Sequence, residues 1–274
     1  MSQLATGLLK DFAVVDHADA QDLIERLDHQ RRLRFWQRYK EETYELMGAG
    51  PGKHLGDVGC GPGEDVRTLA GMVGPDGTAT GFDMSETMIE EAMDRHGDCD
   101  LPLTFRHCPG DRLEQADNTL DGIRADRVLI HVPDPAAVIA DMIRVLKPGG
   151  RIVISEPDME GVWQDSRHIE TSRKLLRLVA GSVPNSFVAR QLRRLFREAG
   201  LVDVEMHVRP AIITDYEEAN SIMRFDMLAE IALRDGVVTE DEGSDWFLEA
   251  REMKKAGLTL FGANFFLVAG SKPA

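Results

Sequence analysis

Residues 57–63 read Asp57-Val58-Gly59-Cys60-Gly61-Pro62-Gly63, and they lie between a short strand pattern at His54–Gly59 and a helical pattern from Glu64 to Met72. Glycines without Cβ atoms let the backbone turn tightly and let a ligand lie against it, while the helix behind offers unpaired N–H groups. A dinucleotide loop would space its glycines GxGxxG and face a pyrophosphate. Here the spacing is GxGxG with an acid in front, and an acidic loop suits a cationic ligand better than a diphosphate.

Outward from this loop, strands and helices alternate. Thr78–Asp83 reads as a strand, and Ser85 caps a helix running to about His96. Further strands are expected at Leu103–His107, Gly122–Ile130 and Arg151–Glu156, with a helix at Pro135–Leu146 stopped by Lys147-Pro148-Gly149-Gly150. The alternation implies a mostly parallel sheet covered on both faces. Ahead of the loop, Leu23, Leu27, Leu33, Trp36, Tyr39 and Leu46 recur at helical spacing, which predicts one or two amphipathic helices over 19–47. Beyond Glu156 the sequence predicts helices at Ile169–Val179 and Phe187–Ala199, then strands at Val202–Val208 and Asn264–Val268. Between those two strands, the insertion Thr214–Gly257 predicts one helix through Ile222–Leu233 and a second around Trp246–Met253.

Two more positions carry chemistry. Asp83 ends the second strand about 20 residues after the loop, where a carboxylate can accept both hydroxyl hydrogens of a ribose. Gly110-Asp111 follows the third strand, placed to meet an adenine edge. Loop, Asp83 and Asp111 together describe a pocket for an adenosine that carries no phosphate. Blander roles exist for each: Asp83 as a helix cap, Asp111 as a turn former, His131 as a structural imidazole near Pro133-Asp134-Pro135.

The runs DVGCGPGED, GFDMSETMIEEA, GDRLEQADNTLDGIRADRVLIHVPDP and RVLKPGGRIVISEPD, in this order, resemble the class I S-adenosylmethionine-dependent methyltransferases. Within these the nearest group is the one including the ubiquinone/menaquinone-biosynthesis type. The resemblance is strong over Lys53–Asp158, with Gly56 and Arg124 as departures from the pattern. It implies a Rossmann-like α/β fold, with a seven-stranded mostly parallel sheet, helices on both faces and helical lid insertions. It divides the chain into N-terminal helices (1–50) on the acceptor side and a methyltransferase domain (51–274) with its insertion at 214–257. It implies that Asp57, Gly59 and Gly61 line the methionine part of S-adenosyl-L-methionine, that Asp83 binds the ribose, and that Met84 flanks the adenine. Asp111 would accept from the adenine amine with Arg112 beside it, and Leu129 and His131, ending the fourth strand, would sit by the sulfonium. The implied activity is methyl transfer to N, O or C of a small metabolite, of the kind found in specialised biosynthesis, with S-adenosyl-L-homocysteine as product. Where the acceptor must lose a proton, His131 and Glu156 are the candidate catalytic bases. A methyltransferase-like protein that binds the cofactor without transfer, as a cyclase or regulatory subunit, is the rival reading.

Composition bounds the partners. Lys and Arg number 32 against 47 Asp and Glu, a formal net charge of -15, which disfavours nucleic acid and anionic membranes. Cys60, Cys99 and Cys108 match no metal spacing, so no metal is expected, and free thiols fit a cytoplasmic protein. Met1–Val15 has no basic stretch ahead of an apolar one, so no targeting segment is expected. The insertion is expected to be a lid over the acceptor, or else a face packed on the sheet edge or in a homodimer.

Overall fold

A computed structural model describes residues 20–274. The reading of Met1–Val15 lies outside them. Two helices, α1 (Ala20–Arg31) and α2 (Arg34–Met47), precede β1 (His54–Val58). On α2, Trp36, Tyr39, Thr43, Tyr44 and Met47 are buried, a stripe at the three- and four-residue spacing that seats one helix face on a core. The alternating part follows: α3 (Glu64–Val73), β2 (Thr78–Asp83), α4 (Glu86–His96), β3 (Leu103–His107), β4 (Leu120–Asp126), α5 (Pro135–Val145) and β5 (Leu146–Pro157). Ser85 caps α4 by accepting from Met88 N, and Asp134 caps α5 ahead of Pro135.

The remaining elements are β6 (Trp163–Gln164), α6 (Ile169–Ala180), α7 (Val188–Glu198), β7 (Val202–Ile213), α8 (Tyr216–Met223), α9 (Phe225–Arg234), α10 (Glu240–Ala256) and β8 (Phe261–Ser271). The sheet runs β3-β2-β1-β4-β5-β8, with β6 and β7 both pairing β8. The first five strands are parallel and β8 is antiparallel to its neighbours. One core lies where Met47, Leu69 and Ile89 meet Leu55, Ala79 and Val153. The second lies where Ile139, Met142, Leu192 and Phe196 meet Ile123, Ile152 and Ile154. Successive residues of β5 thus feed different clusters, as the two-residue period of a strand buried on both faces demands.

Several expectations change in detail. Among the described residues the sheet has eight strands where seven were expected; the extra one is the two-residue β6, added against Gly262 and Phe261 of β8. Strand β4 stops at Asp126 instead of Ile130, because Arg127 turns into the left-handed region (φ 59) and the next two amides donate to a side chain. Strands β7 and β8 outrun their expected lengths because they pair with each other from Glu205–Ala269 to Ile213–Phe261. The insertion holds three helices, since Arg224 adopts φ 50 between α8 and α9 and the Asn220 side chain accepts from Phe225 N. No helix among the described residues is long and apolar enough to cross a membrane.

Candidate active site

The chain proceeds from β1 to β2 to β3 on one side and from β4 to β5 on the other, so the sheet order reverses between β1 and β4. A crevice opens at such a switch point, at the carboxyl ends of the strands. The glycine loop leaves β1 there. Gly59 N and Cys60 N donate to Phe82 O at 2.7 and 3.1 Å, which sets the loop across the end of β2. Gly59 has φ 68, and a Cβ on it would stand 2.4 Å from Val128 Cγ2, so both conformation and packing require glycine. Asp83 ties the parts together: its Oδ2 accepts from Gly61 N at 2.8 Å and its Oδ1 from Ser85 N at 2.9 Å.

A cavity of about 430 Å³ starts at this loop. Gly59, Gly61, Asp83, Met84, Cys108 and Gly110 line one part, with Leu23 and Leu27 of α1 across from them. The wall continues toward β7, β8 and α8 as an apolar chamber of Trp36, Ile213, Ile222, Met223, Phe261 and Phe265. Strand order explains the extent: β8 and β7 lie beyond β5, so a crevice crossing the strand ends from β2 outward must reach them.

Under the loop sits a buried ionic cluster. Arg124, fully buried in β4, donates to Asp57 Oδ1 at 3.1 Å and to Asp65 Oδ2 at 2.9 Å, with its guanidinium 5.3 Å over the Tyr44 ring. Lys40 donates to Asp65 at 2.5 Å and Tyr44 Oη to the same carboxylate at 2.8 Å. Tyr39 Oη donates to Asp126, whose Oδ2 is also 3.5 Å from Arg124 Nη2. Burial pushes the Asp57 carboxyl up to about 7, with Arg124 pulling the other way. Burial acts on Asp65 too, but Lys40 and Arg124 together hold it well below the usual carboxylate range. Asp57 lines the cavity as expected, yet its carboxylate is committed to Arg124.

The segment after β4 departs most from expectation. Glu156 lies within β5, is fully buried and is absent from the cavity wall. Its Oε1 accepts from Val128 N at 2.9 Å and Leu129 N at 2.6 Å, so it shapes the loop rather than meeting an acceptor. Burial raises it to about 8, against those backbone N–H groups. Leu129 is a correction as well: it is 0% exposed in the core and does not reach the wall, because Glu156 pins its amide beneath the loop. His131 does line the cavity, with its imidazole lowered to about 4 by burial and by Arg127. Asp111 and Arg112 are exposed and off the wall, since Arg112 N donates to Pro109 O and closes a tight turn that leaves only Gly110 inward.

Other polar and aromatic side chains after β5 are taken up by the fold itself. Asp158 pairs with Arg190 at 2.8 Å. Phe225 and Trp246 stack edge to face at 5.7 Å in the core, away from the cavity. Sequence reasoning missed Lys40, Asp65, Asp126 and Arg127; the one signal for them was Arg124, a cation in a buried strand that requires carboxylates nearby.

Fold and loop therefore define an α/β protein of Rossmann-like type whose switch-point cavity favours a ligand without phosphate. More narrowly, the chain belongs to the methyltransferase domain family, whose model matches residues 50–223, and its fold is that of the class I enzymes. It is 34% identical over 244 residues to the uncharacterized 37.1 kDa protein in transposon Tn4556 of Streptomyces fradiae, covering 88% of this chain and 68% of that one. It is 32% identical over 151 residues to a demethylmenaquinone methyltransferase of Bacillus mycoides, covering 54% of this chain and 62% of the relative. Among solved structures it is similar to Haemonchus contortus phosphoethanolamine N-methyltransferase 2 in complex with S-adenosyl-L-methionine, with a TM-score of 0.62 and 17% identity. That likeness covers 98% of this chain and 61% of the other and is one of fold. The chain thus spans less than two thirds of two of these three proteins.

Proposed function

We propose that the protein binds S-adenosyl-L-methionine and moves its methyl group to a nucleophile on a small, largely apolar molecule. The observation that carries this is one continuous cavity, which joins the glycine loop and Asp83 to an apolar chamber. The residues fit the cofactor. Gly61 lines the cavity with φ 51, and a Cβ there would enter the space facing Leu27, 3.8 Å away. Of the carboxylates lining this end, Asp57 and Asp65 are paired with Arg124 and Lys40, and Asp28 and Glu64 with Arg95 and Arg31, while Asp83 accepts from backbone N–H groups. Such a lining suits an adenosine with a cationic tail, whose hydroxyls Asp83 would hold and whose ring Met84 would flank.

Bound there, the cofactor supplies a methyl carbon on a positively charged sulfur. The chain's part is alignment and exclusion of water. Leu23 and Leu27 of α1 close one side of the cavity, and Ile222 and Met223 of α8 close the other. The N-terminal helices and the first helix of the insertion act in this reading as the cover of the acceptor site. His131 stays a neutral imidazole through the physiological range, able to accept a hydrogen bond from an acceptor. A small acceptor also agrees with the net charge of -15, which opposes a polyanion.

Incubation with S-adenosyl-L-methionine and a panel of apolar phenols, amines and quinols, with mass detection of S-adenosyl-L-homocysteine, tests the proposal. Calorimetry with both cofactor forms should show binding even where no acceptor on the panel is turned over. Absence of cofactor binding, or preference for a nicotinamide dinucleotide, would refute it.

A further inference from the structure

Several charges in and under the cavity wall are paired with one another. Asp57, Asp65 and Arg124 neutralise one another at hydrogen-bond distance, and Lys40 is bound to Asp65. Arg127, on the same wall, has no carboxylate at that distance among the described residues. Its nearest carboxylate oxygen, Asp126 Oδ2, is 3.9 Å from Nε, and Nε is buried without a hydrogen-bond acceptor. Its Nη1 donates to the neutral Gln30 Oε1 of α1 at 2.7 Å, and the guanidinium lies 5.7 Å over the Trp36 ring.

This position is enforced. Arg127 has φ 59, a region that residues with long side chains enter only when their surroundings require it. Arg127 N donates to Ser155 O at 2.8 Å, and Glu156 holds the next two amides, so the turn after β4 directs the guanidinium into the wall. The groups facing it are Tyr39 from α2, Asp126 from β4, Asp65 from α3 and Glu156 from β5. Asp126 is already shared among Tyr39, Arg124 and Lys40, and Asp65 between Lys40 and Arg124. Glu156, raised by burial to about 8, is protonated at neutral pH. The Trp36 ring next to Arg127 packs on Phe265 at 5.4 Å, and His131 and Phe261 line the same cavity.

We infer that Arg127 anchors the acceptor, and that the acceptor is an apolar ring compound whose phenol or enol hydroxyl binds as its anion against this guanidinium. The inference rests on the methyltransferase reading and names its substrate class. On binding, the O–H bond breaks, the proton leaves to solvent, and the oxygen keeps the electron pair that makes it the nucleophile. A cation does this without a base, which matters because an imidazole held near 4 is a weak proton acceptor for a phenol. Aromatic walls select the flat ring, and the unpaired donors of Arg127 select the oxyanion.

The test titrates 4-nitrophenol with the full chain across pH, reading the absorption band of its phenolate, in the presence and absence of S-adenosyl-L-homocysteine. The bound probe should ionise at least about one pH unit lower than the free one, a tenfold or greater preference for the anion. Arg127→Met should abolish that preference and Arg127→Lys should keep part of it. A bound probe that ionises at its free pH, a shift that survives Arg127→Met, or no binding of the probe would each overturn the inference. Calorimetry with S-adenosyl-L-homocysteine on the same samples separates the two levels. If the wild type and Arg127→Met both bind it, the fold and cofactor end are intact, and a shift lost in the variant belongs to the acceptor end. If the wild type does not bind it while the phenolate shift persists, the anchor stands and the methyltransferase reading falls.

Discussion

Replacing Glu156 by alanine removes the acceptor of two amides, Val128 N at 2.9 Å and Leu129 N at 2.6 Å, in a loop that shapes the cavity wall. Leu129 is fully buried and Val128 half-buried, so water restores little. Each orphaned donor costs ~1–3 kcal/mol, and the two together should destabilise the fold by ~2–4 kcal/mol before any cavity term. Glutamine keeps the accepting oxygen and should stay within ~1 kcal/mol of the wild type under mildly acidic conditions. The pH dependence sharpens the contrast. Burial lifts this carboxyl from 4.5 to about 8, so the folded state retains a proton that the unfolded chain has released. Its contribution to stability is therefore fully present below 4.5 and is lost as pH climbs toward 8, at up to ~1.4 kcal/mol per unit. Glutamine does not titrate, so Glu156→Gln should gain on the wild type throughout that window. Urea unfolding at about pH 5.5, 6.5 and 7.5, followed by tryptophan fluorescence, measures both effects. Equal damage from Gln and Ala at the lowest pH, or a Gln-to-wild-type difference that does not move with pH, would mean that Glu156 does not hold the turn as a buried, protonated acceptor. Wild-type stability with turnover lost in Glu156→Gln would restore this residue as a base.

Asp83→Ala should weaken S-adenosyl-L-methionine binding by at least ~1.5 kcal/mol, because a charge-assisted acceptor for the ribose and the anchor of Gly61 N go together; unchanged calorimetric affinity would sink that assignment. Gly59→Ala puts a methyl group 2.4 Å from Val128 Cγ2 at φ 68 and should cost ~2 kcal/mol or more of stability, part of it recovered by adding Val128→Ala in a thermal melt. Arg124→Met leaves Asp57 buried without its cation and should cost ~3–5 kcal/mol, while Asp57→Asn in the same chain should return much of the loss. Failure of the double variant to recover would mean that Arg124 acts through packing on Tyr44 alone. In hydrogen exchange, amides of α8 should gain protection when cofactor and acceptor bind, whereas α9, with Leu228, Ile231 and Ala232 in the core, should already be slow. Full protection of both in the free protein would make α8 a fixed wall.

Elements built from local chemistry were legible along the chain. Strands β2 and β3 and helix α4 fall on their expected residues, because each is bounded by local signals such as the Ser85 cap. The insertion was misread as two helices because the break at Arg224 depends on a left-handed residue and on Asn220 bonding five positions ahead, for which no glycine gives notice. Strand β4 ends short of its expected length for a related reason. Val128, Leu129 and Ile130 read as strand, but their amides meet a carboxylate from β5 instead of a neighbouring strand.

Residue type and short spacing alone imply the mostly parallel α/β sheet, the glycine loop between the first strand and its helix, and the acid ending β2. Which charges act depends on contacts that form when the chain folds. Arg124 meets Asp57 across 67 positions, Tyr39 meets Asp126 across 87, and Glu156 reaches back 28 and 27 to the amides of Val128 and Leu129. Those encounters bury Asp57 and Glu156, turn Arg127 toward the cavity and leave Asp111 and Arg112 outside. The physical reason is that a side chain's ionisation and exposure are set by what packs around it, and here the packing comes from segments far away in the chain.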